Sequence, residues 1–429
     1  MGSPPPDTAA TTPPPAPPAA AVPPARDAAG LERALFEVKK IIVGQDRLVE
    51  RLLVAVLARG HCLVEGVPGV AKTLASQTLA TVLGGTFARI QFTPDLVPSD
   101  LVGTRVYRPS RERFDVELGP VFVNVLLADE INRAPAKVQS ALLEVMGEGH
   151  VSIGGRTYPV PDPFLVVATQ NPIEQEGVYP LPEAQRDRFL LKVAVGYPSA
   201  EEERDIIYRM GAREPQPEQV LTPAELVALQ RRAEGVFVHN ALVDFAVRLV
   251  VATREPAAYG LAGLAHLVQY GASPRASLGL VRAARALALL RGRDYVLPAD
   301  MQAVAPDVLR HRLVLSYDAL ADDVPADHLV DRLLAAVPAP TVAPRQDATP
   351  PPHDAAPLPY GAALPPHGAT LPTYGAALPP HGTTPPAPGD AMPPYPAAAP
   401  SPGPPLPQQP PAPATPTAPP AEGPPGGPP

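Results

Sequence analysis

The sequence predicts an α/β fold with a parallel sheet, followed by a small all-helical domain and flanked by disordered ends. Strand-length apolar runs alternate with helical patterns over residues 29–198, as in layered α/β domains. From residue 199 to 337, only helical spacing recurs. The 65 prolines concentrate in residues 1–28 and 338–429, which carry few charges and lack apolar periodicity, so both ends are predicted to be disordered.

The core elements follow from local patterns. Strands are predicted at residues 62–65, 87–92, 121–128, 164–168 and 190–195, and helices at residues 31–40, 48–57, 73–83 and 135–146. Residues 105–118 and 149–161 interrupt the alternation and are predicted to be inserted hairpins, the second with a Gly154-Gly155 turn. In the second domain, helices are predicted at residues 200–210, 224–233, 241–253, 274–290 and 298–308.

Composition limits the classes of function. A net charge of −8 argues against a broad nucleic-acid surface. The single cysteine, Cys62, excludes a disulfide within the chain, and its apolar neighbours predict a core residue rather than a reactive thiol. Neither a membrane-spanning apolar window nor a signal-peptide pattern is evident, so we expect a cytoplasmic protein.

A glycine-rich loop follows the first predicted strand. Backbone N–H groups of such a loop cradle phosphate oxygens, and the next helix adds its N-terminal dipole. Lys72 would lie near the β- and γ-phosphates, and the Thr73 hydroxyl would bind Mg²⁺. Ala71 stands where glycine is usual, but it keeps the backbone amide. The predicted ATP-binding residues of this segment are Gly66, Val67, Pro68, Gly69, Val70, Ala71, Lys72, Thr73 and Leu74.

Two further strand ends carry polar residues. The apolar run at 121–128 ends in Asp129 and Glu130, and parallel strands deliver their carboxyl ends to the ligand edge of a sheet. Asp129 is predicted to hold Mg²⁺, and Glu130 to act as general base on the attacking water. Asn171, after the strand at 164–168, would orient that water, although an Asn before Pro is more often a turn residue.

These motifs resemble the AAA+ ATPases, and more narrowly the MoxR group. Residues 66–73 resemble Walker A in a variant that this group often carries, with alanine before lysine, and residues 126–130 with their continuation 131–134 resemble Walker B. Asn171 resembles sensor 1, residues 181–189 resemble the segment with a trans-acting arginine, and residues 271–276 resemble sensor 2. The two hairpins resemble the helix-2 and pre-sensor-1 insertions of this clade. The resemblance extends over about residues 30–335 and excludes both tails.

The resemblance implies further roles. Val43, Gly44 and Gln45 would border the adenine, and Arg275 would sense the γ-phosphate from the lid domain. Arg188 would be the arginine that acts on the neighbouring subunit. Arg186, where the family usually carries an apolar residue, and Arg133 stay open as alternatives.

The resemblance also implies a function. It is Mg²⁺-dependent ATP hydrolysis in a ring, most often hexameric, that drives chaperone-like remodelling of a client protein, often one with a von Willebrand factor A domain. One alternative is a non-hydrolysing scaffold that binds ATP and presents its proline-rich tail to partners. A DNA motor is disfavoured by the acidic charge balance and by the lack of basic–aromatic stripes, and no nucleic-acid partner is expected.

The C-terminal tail contains one internal repeat. The nine residues Tyr-Gly-Ala-Ala-Leu-Pro-Pro-His-Gly at 360–368 recur identically at 374–382. A recent duplication within a linker accounts for this pattern. A bivalent docking peptide is the functional alternative, because Tyr and Pro-Pro fit aromatic-lined grooves.

Overall fold

The computed structural model describes residues 24–173, 178–210 and 215–341. Most of both predicted tails, including the nine-residue repeat, lies outside these ranges. The first helix begins at Pro24, inside the segment predicted to be disordered up to residue 28.

The first domain alternates helices and strands. In chain order its elements are α1 (Pro24–Ile41), α2 (Asp46–Leu57), β1 (Cys62–Gly66), α3 (Lys72–Val82), β2 (Phe87–Gln91), α4 (Pro98–Val102), β3 (Gly103–Arg108), β4 (Arg113–Leu118), β5 (Val125–Asp129), α5 (Ala136–Glu148), β6 (His150–Ile153), β7 (Arg156–Pro159), β8 (Leu165–Gln170), α6 (Glu183–Arg186) and β9 (Leu191–Val195). The predicted α/β architecture with a parallel sheet is confirmed.

Five of these strands form one parallel sheet in the order β2-β5-β8-β1-β9. β1 pairs with β8 on one side and with β9 on the other, so the segment after β1 lies between two neighbouring strand ends. The strand ends of β1, β5 and β8 therefore meet at one edge of the sheet, where ligands bind in such folds.

The strand β5 is shorter than predicted. All five of its residues are buried, as expected for a strand covered on both faces. Residues 121–124, predicted to belong to it, form a turn instead. Val121 is fully buried, and its backbone N–H donates to the Leu101 carbonyl, while Asn124 uses its side-chain oxygen to accept hydrogen bonds from Thr86. The apolar run thus combines a turn, buried only at Val121, with a strand.

Both predicted hairpins are present. β3 pairs antiparallel with β4, and β6 pairs antiparallel with β7 across the Gly154-Gly155 turn. On the first hairpin, the exposed rings of Tyr107 and Phe114 lie 5.2 Å apart. Each hairpin forms a separate two-stranded sheet outside the five-stranded one.

The second domain is mainly helical. Its elements are α7 (Ala200–Met210), α8 (Pro223–Glu234), α9 (Asn240–Arg254), β10 (Val268–Tyr270), α10 (Pro274–Leu290), α11 (Pro298–Leu309), β11 (Val314–Leu315), α12 (Tyr317–Ala321) and α13 (Ala326–Ala336). α8 begins at Pro223, one residue before its predicted start, and Thr222 and Glu225 form a capping box there. The short antiparallel pair of β10 and β11 is an addition that the helical patterns do not indicate.

The two domains share one hydrophobic core, which runs from Leu31 to Val337. Helix α2 joins them, because most of its residues are buried and it packs against α8 and α10 of the second domain. The Gln230 side chain donates a hydrogen bond of 2.7 Å to the Val56 carbonyl, and Arg51 pairs with the buried Asp307 at 2.7 Å. Within the described ranges, no helix is long and apolar enough to cross a membrane.

Candidate functional site

The glycine-rich loop lies between β1 and α3. Gly66 ends β1 so close to β9 that a Cβ atom there would lie 2.5 Å from the Val195 carbonyl oxygen, which requires glycine. Gly69 has φ +83°, and Ala71 has φ +59° at the start of α3. Lys72 is the first residue of that helix, and its Nζ donates to the Gly66 carbonyl at 2.5 Å. The loop therefore turns its lysine back over its own backbone.

Asp129 ends β5 and is held by two side chains. Its side chain is 13% exposed. Arg89 of β2 donates to its Oδ2 from Nε at 3.1 Å and from Nη2 at 2.6 Å. The Thr169 hydroxyl donates to its Oδ1 at 2.6 Å. Both carboxylate oxygens thus have fixed directions: Oδ2 accepts two hydrogen bonds from Arg89, whereas Oδ1 accepts one from Thr169 and keeps a lone pair for a further partner.

Glu130 has a left-handed backbone with φ +57°, which is uncommon for a residue other than glycine. Its backbone N–H donates to the Thr169 hydroxyl at 2.9 Å. Its Oε2 accepts a hydrogen bond from Gln91 Nε2 at 2.8 Å and lies 2.9 Å from Arg133 Nε. Non-glycine residues in this conformation cluster at functional sites, so the geometry supports a functional role for this carboxylate.

Asn171 follows β8 and is only 7% exposed. Its Oδ1 accepts a hydrogen bond from the Ile173 backbone at 3.2 Å. The residue therefore stabilises the turn before Pro172, as its sequence context indicates, and it also faces the same cleft as Asp129 and Glu130.

These residues line one open cleft of about 400 Å³ at the carboxyl edge of the sheet. The predicted site residues that line it are Pro68, Gly69, Ala71, Lys72, Thr73, Leu74, Asp129, Glu130 and Asn171. Gly66, Val67 and Val70 belong to the same loop without lining the cleft. The structure thus brings together residues from β1, β5 and β8 that are far apart in the sequence.

The predicted adenine-side residues lie elsewhere on the first domain. Val43 and Gly44 line a different cavity, of about 670 Å³, together with residues of α1 and α7. Gly44 has φ +73°, and Gln45 Nε2 donates to the Gly196 carbonyl at 3.1 Å. Their contact with a base stays a prediction.

The three candidate arginines differ in their surroundings. Arg133 is ion-paired with Glu130 of its own chain. Arg186 is half-buried beside a cavity of about 430 Å³ that Asn171 also lines. Arg188 is exposed and has no ion pair with any of the described residues. Arg275, at the start of α10, lies 3.6 Å from Asp187 and is 60% exposed.

Three residues of the site were missed by the sequence analysis. Arg89, Gln91 and Thr169 contact the two acidic residues directly. Strand register is the signal that could have found them, because Gln91 pairs with Asp129, and Thr169 follows Ala168, the partner of Ala128. That register cannot be read from the alternation of elements alone.

Comparisons with known proteins agree with this geometry. The family model described as the ATPase family associated with various cellular activities (AAA) matches residues 61–191, and the model of the AAA lid domain matches residues 264–333. The chain is 66% identical over 330 residues to Chaperone MoxR1 of Mycobacterium tuberculosis, a match that covers 76% of this chain and 88% of that protein. The chain is a member of the MoxR family of AAA+ ATPases.

Other MoxR relatives extend over the same region. Protein MoxR of Methylorubrum extorquens is 36% identical over 337 residues, which cover 73% of this chain and 96% of that protein. The crystal structure of a provisionally designated ATPase from Cytophaga hutchinsonii superposes with a TM-score of 0.70 at 45% identity, covering 74% of this chain and 97% of that chain. As in other MoxR-family proteins, a nucleotide-binding AAA domain is followed by a helical lid domain, and the relatives support a chaperone-like ATPase role.

Proposed function

We propose that the chain hydrolyses ATP to ADP and phosphate in the cleft beside Lys72, and that it uses the cycle to remodel a client protein. One observation carries this proposal. Lys72, Asp129, Glu130 and Asn171, from three different strand ends, line a single cleft at the ligand edge of the sheet. Together they supply a phosphate-binding cation, a carboxylate for a metal, a base and a polar group for water.

Lys72 would bind the β- and γ-phosphates once its Nζ leaves the Gly66 carbonyl. Glu130 would accept a proton from the attacking water, and Asn171 would orient that water. Gln91 and Arg133 both contact the same oxygen of Glu130. These two contacts hold the carboxylate in a fixed orientation in the cleft.

The oxygen donors of the cleft fit Mg²⁺. The Thr73 hydroxyl and the Asp129 carboxylate line the same cleft, and hard oxygen ligands are those that this ion prefers in proteins. Thr73 and Asp129 would hold the ion, which when bound neutralises charge on the phosphates.

We further infer a homo-oligomeric ring, most often a hexamer in this family, in which Arg188 completes the site of the next subunit. Its exposure supports this role, whereas Arg133 and Arg186 face groups of their own chain. Trans-acting arginines contribute about 10³ or more in rate. A cytoplasmic location and contacts of Val43, Gly44, Gln45 and Arg275 with ATP remain predictions of the same proposal.

Two substitutions test the cleft. Lys72→Ala should lose nucleotide affinity, because no other cation replaces its contact with the phosphates. Glu130→Gln should keep ATP but lose turnover by about 10²- to 10⁴-fold, because the amide cannot accept a proton. Nucleotide binding is measured by fluorescence of a labelled ATP analogue, and turnover by phosphate release.

The controls are Lys137→Ala and Glu144→Gln, which change exposed residues of α5 outside the cleft and should leave both measurements unchanged. Phosphate release by Glu130→Gln at the wild-type rate would show that the base is another residue. Tight ATP binding with no turnover by the wild-type protein would instead favour the non-hydrolysing scaffold.

The client is proposed to contain a von Willebrand factor A domain. Because Glu130→Gln should hold ATP without turnover, it should retain a bound client longer than the wild-type ring does. We expect a purified von Willebrand factor A protein to co-elute with this variant in ATP and not in ADP. Equal elution in both nucleotides would contradict the proposal of an ATP-driven client cycle.

A further inference from the structure

The segment that carries Arg188 is bonded to both domains: the Leu190 backbone N–H donates to the His61 carbonyl of the first domain at 2.9 Å, and several side chains of the second domain bind it from the other side. Arg312, just after α11, donates from Nη2 to the Phe189 carbonyl at 2.6 Å and from Nη1 to the Leu190 carbonyl at 3.1 Å. Its Nε donates to Asp187 Oδ1 at 2.8 Å. The exposed Arg188 therefore lies between Asp187 and Phe189, which both accept hydrogen bonds from the Arg312 guanidinium.

Neighbours of Arg312 extend this contact. His311 Nε2 lies 3.0 Å from the Phe189 carbonyl, and Arg310 Nη1 donates to the Lys192 carbonyl at 3.2 Å. Three consecutive residues of the second domain thus bind backbone carbonyls of residues 189–192, from the end of the connection after α6 into the start of β9. We call residues 310–312 the clamp.

Burial makes the clamp rigid. The Arg312 side chain is 3% exposed, and Phe189 is fully buried. Removing one partner of a buried ion pair is strongly destabilising, so the contact between Arg312 and Asp187 helps to hold this segment against the end of α11.

Asp187 also connects this segment to the start of α10. Its Oδ2 accepts a hydrogen bond from the Ser273 hydroxyl at 2.8 Å, and Arg275 Nη1 lies 3.6 Å away. Ser273 is the N-cap residue of α10, and Arg275 is the residue expected to respond to the γ-phosphate. One carboxylate therefore contacts both the clamp and the start of the helix that carries Arg275.

We propose that Arg312 and Asp187 are positioning residues, which fix Arg188 to the second domain of its own subunit. A rotation of that domain, driven by the nucleotide of one subunit, then advances or withdraws the arginine that this subunit presents to its neighbour. The inference rests on the proposed function, in which Arg188 acts on the adjacent site.

Rings assembled from two different variant subunits test the proposal. Arg312→Lys and Asp187→Asn should each lower the turnover number by about 10- to 100-fold, as expected for a misplaced reacting group, while ATP affinity and ring assembly are kept. Excess Glu130→Gln subunits, which bind ATP without turning it over and present an intact Arg188, should restore turnover in the active sites of the variant subunits. Arg188→Ala subunits should be restored in the same way.

A matched pair in the same domain serves as control. Arg293 and Asp300 form a comparable ion pair at 2.6 Å, away from residues 187–192. Arg293→Lys and Asp300→Asn should lower thermal stability without a turnover defect that Glu130→Gln subunits restore. If Arg312→Lys does not fold, Asp187→Asn and Ser273→Ala remain: the first removes the charge that pairs with Arg312 and Arg275, and the second removes one hydrogen bond to Asp187.

The outcomes are distinguishable. No turnover by the wild-type protein overturns the proposed function, and full turnover by Arg188→Ala overturns the assignment of that arginine. Restoration of Arg188→Ala without restoration of Arg312→Lys and Asp187→Asn overturns the positioning role alone. Unchanged turnover in both Arg312→Lys and Asp187→Asn also overturns the positioning role.

Discussion

Ala71 and Glu130 both hold a left-handed backbone, with φ +59° and +57°. Such a conformation costs about 1–3 kcal/mol for a residue other than glycine, so neighbouring contacts have to maintain it. At Glu130 the Thr169 hydroxyl does so, since it accepts the backbone N–H at 2.9 Å. The Thr169 side chain therefore fixes the direction of the proposed base as well as that of Asp129.

Arg89 occupies the oxygen of Asp129 that faces β2. Since Mg²⁺ would share this carboxylate, we expect Arg89 and the ion to compete for it. Arg89→Ala should lower the Mg²⁺ concentration for half-maximal ATP turnover several-fold. The measurement is phosphate release over a Mg²⁺ titration at saturating ATP.

Arg108→Ala is the matched control, because Arg108 pairs with Glu117 on the exposed first hairpin. It should leave the Mg²⁺ dependence unchanged. A higher Mg²⁺ requirement in Arg89→Ala would contradict competition and would indicate that Arg89 helps to assemble the metal site.

Among single residues, the sequence predicted the charged and polar side chains that follow predicted strands. Lys72, Asp129, Glu130 and Asn171 could be found because each follows a predicted strand. Arg89 and Gln91 could not, because an arginine or glutamine on an edge strand is ordinary until the register shows which side chain it faces.

Among the elements, β1 and β8 are joined by His61. Its Nδ1 accepts a hydrogen bond from the Val166 backbone N–H at 3.1 Å, and its Nε2 lies 3.2 Å from the Met146 carbonyl of α5. The neutral imidazole with its proton on Nε2 satisfies both partners. Burial lowers the pKa of His61 from 6.5 to about 4, and the charge of Arg282 acts in the same direction.

The pKa of His61 predicts a pH dependence of stability. Below pH 6.5 the unfolded chain binds a proton that the native chain does not, so stability falls as the pH drops from about 6.5 to about 4. Between pH 7 and 5.5 the loss from this group should be roughly 1 kcal/mol. His311, whose pKa burial also lowers, adds to it. Urea unfolding at both pH values measures the effect.

His61→Gln should show a smaller loss of stability over this pH range than the wild-type protein does. His266→Gln, at an exposed position, should keep the wild-type dependence. An unchanged pH dependence in His61→Gln would mean that other groups cause the loss.

The elements themselves were largely predictable, since their hydrophobic periodicity is strong. The strand predicted at residues 121–128 shows the limit. Four of these residues form a turn in which Val121 is buried and residues 122–124 are half-buried, because the Val121 backbone bonds to Leu101 of α4 and Asn124 binds Thr86. Apolar residues alone do not distinguish a strand from a partly buried turn.

In the whole molecule, the two domains share a buried carboxylate. Asp307 of α11 is fully buried and accepts hydrogen bonds from Arg47 at 2.9 Å and from Arg51 at 2.7 Å, both on α2, and it lies 3.2 Å from Arg310. Asp307→Ala should lower the free energy of unfolding by about 3–5 kcal/mol, because it leaves buried guanidinium groups without a counter-charge. Urea denaturation measures the change.

The control is Asp331→Ala, an exposed aspartate on α13, which should change stability by no more than about 0.5 kcal/mol. Equal stability of Asp307→Ala and the wild-type protein would show that this ion pair contributes nothing to the joint between the domains.

The contact between the two domains could not be predicted from the sequence. Arg51 and Asp307 are 256 residues apart, and each lies on a helix whose pattern alone gives no partner. The order of the domains follows from local composition, whereas their contact depends on which faces of α2, α8 and α10 meet.

The position of α2 matters for anyone who transplants a second domain from one family member to another. By sequence the helix belongs to the first domain, yet its arginines neutralise Asp307 and its Val56 carbonyl is bound by Gln230. A graft cut near residue 198 leaves Asp307 facing a foreign helix. A graft that also carries Asp46–Leu57 transfers the ion pairs intact, and its new seam then falls in the short connection before β1.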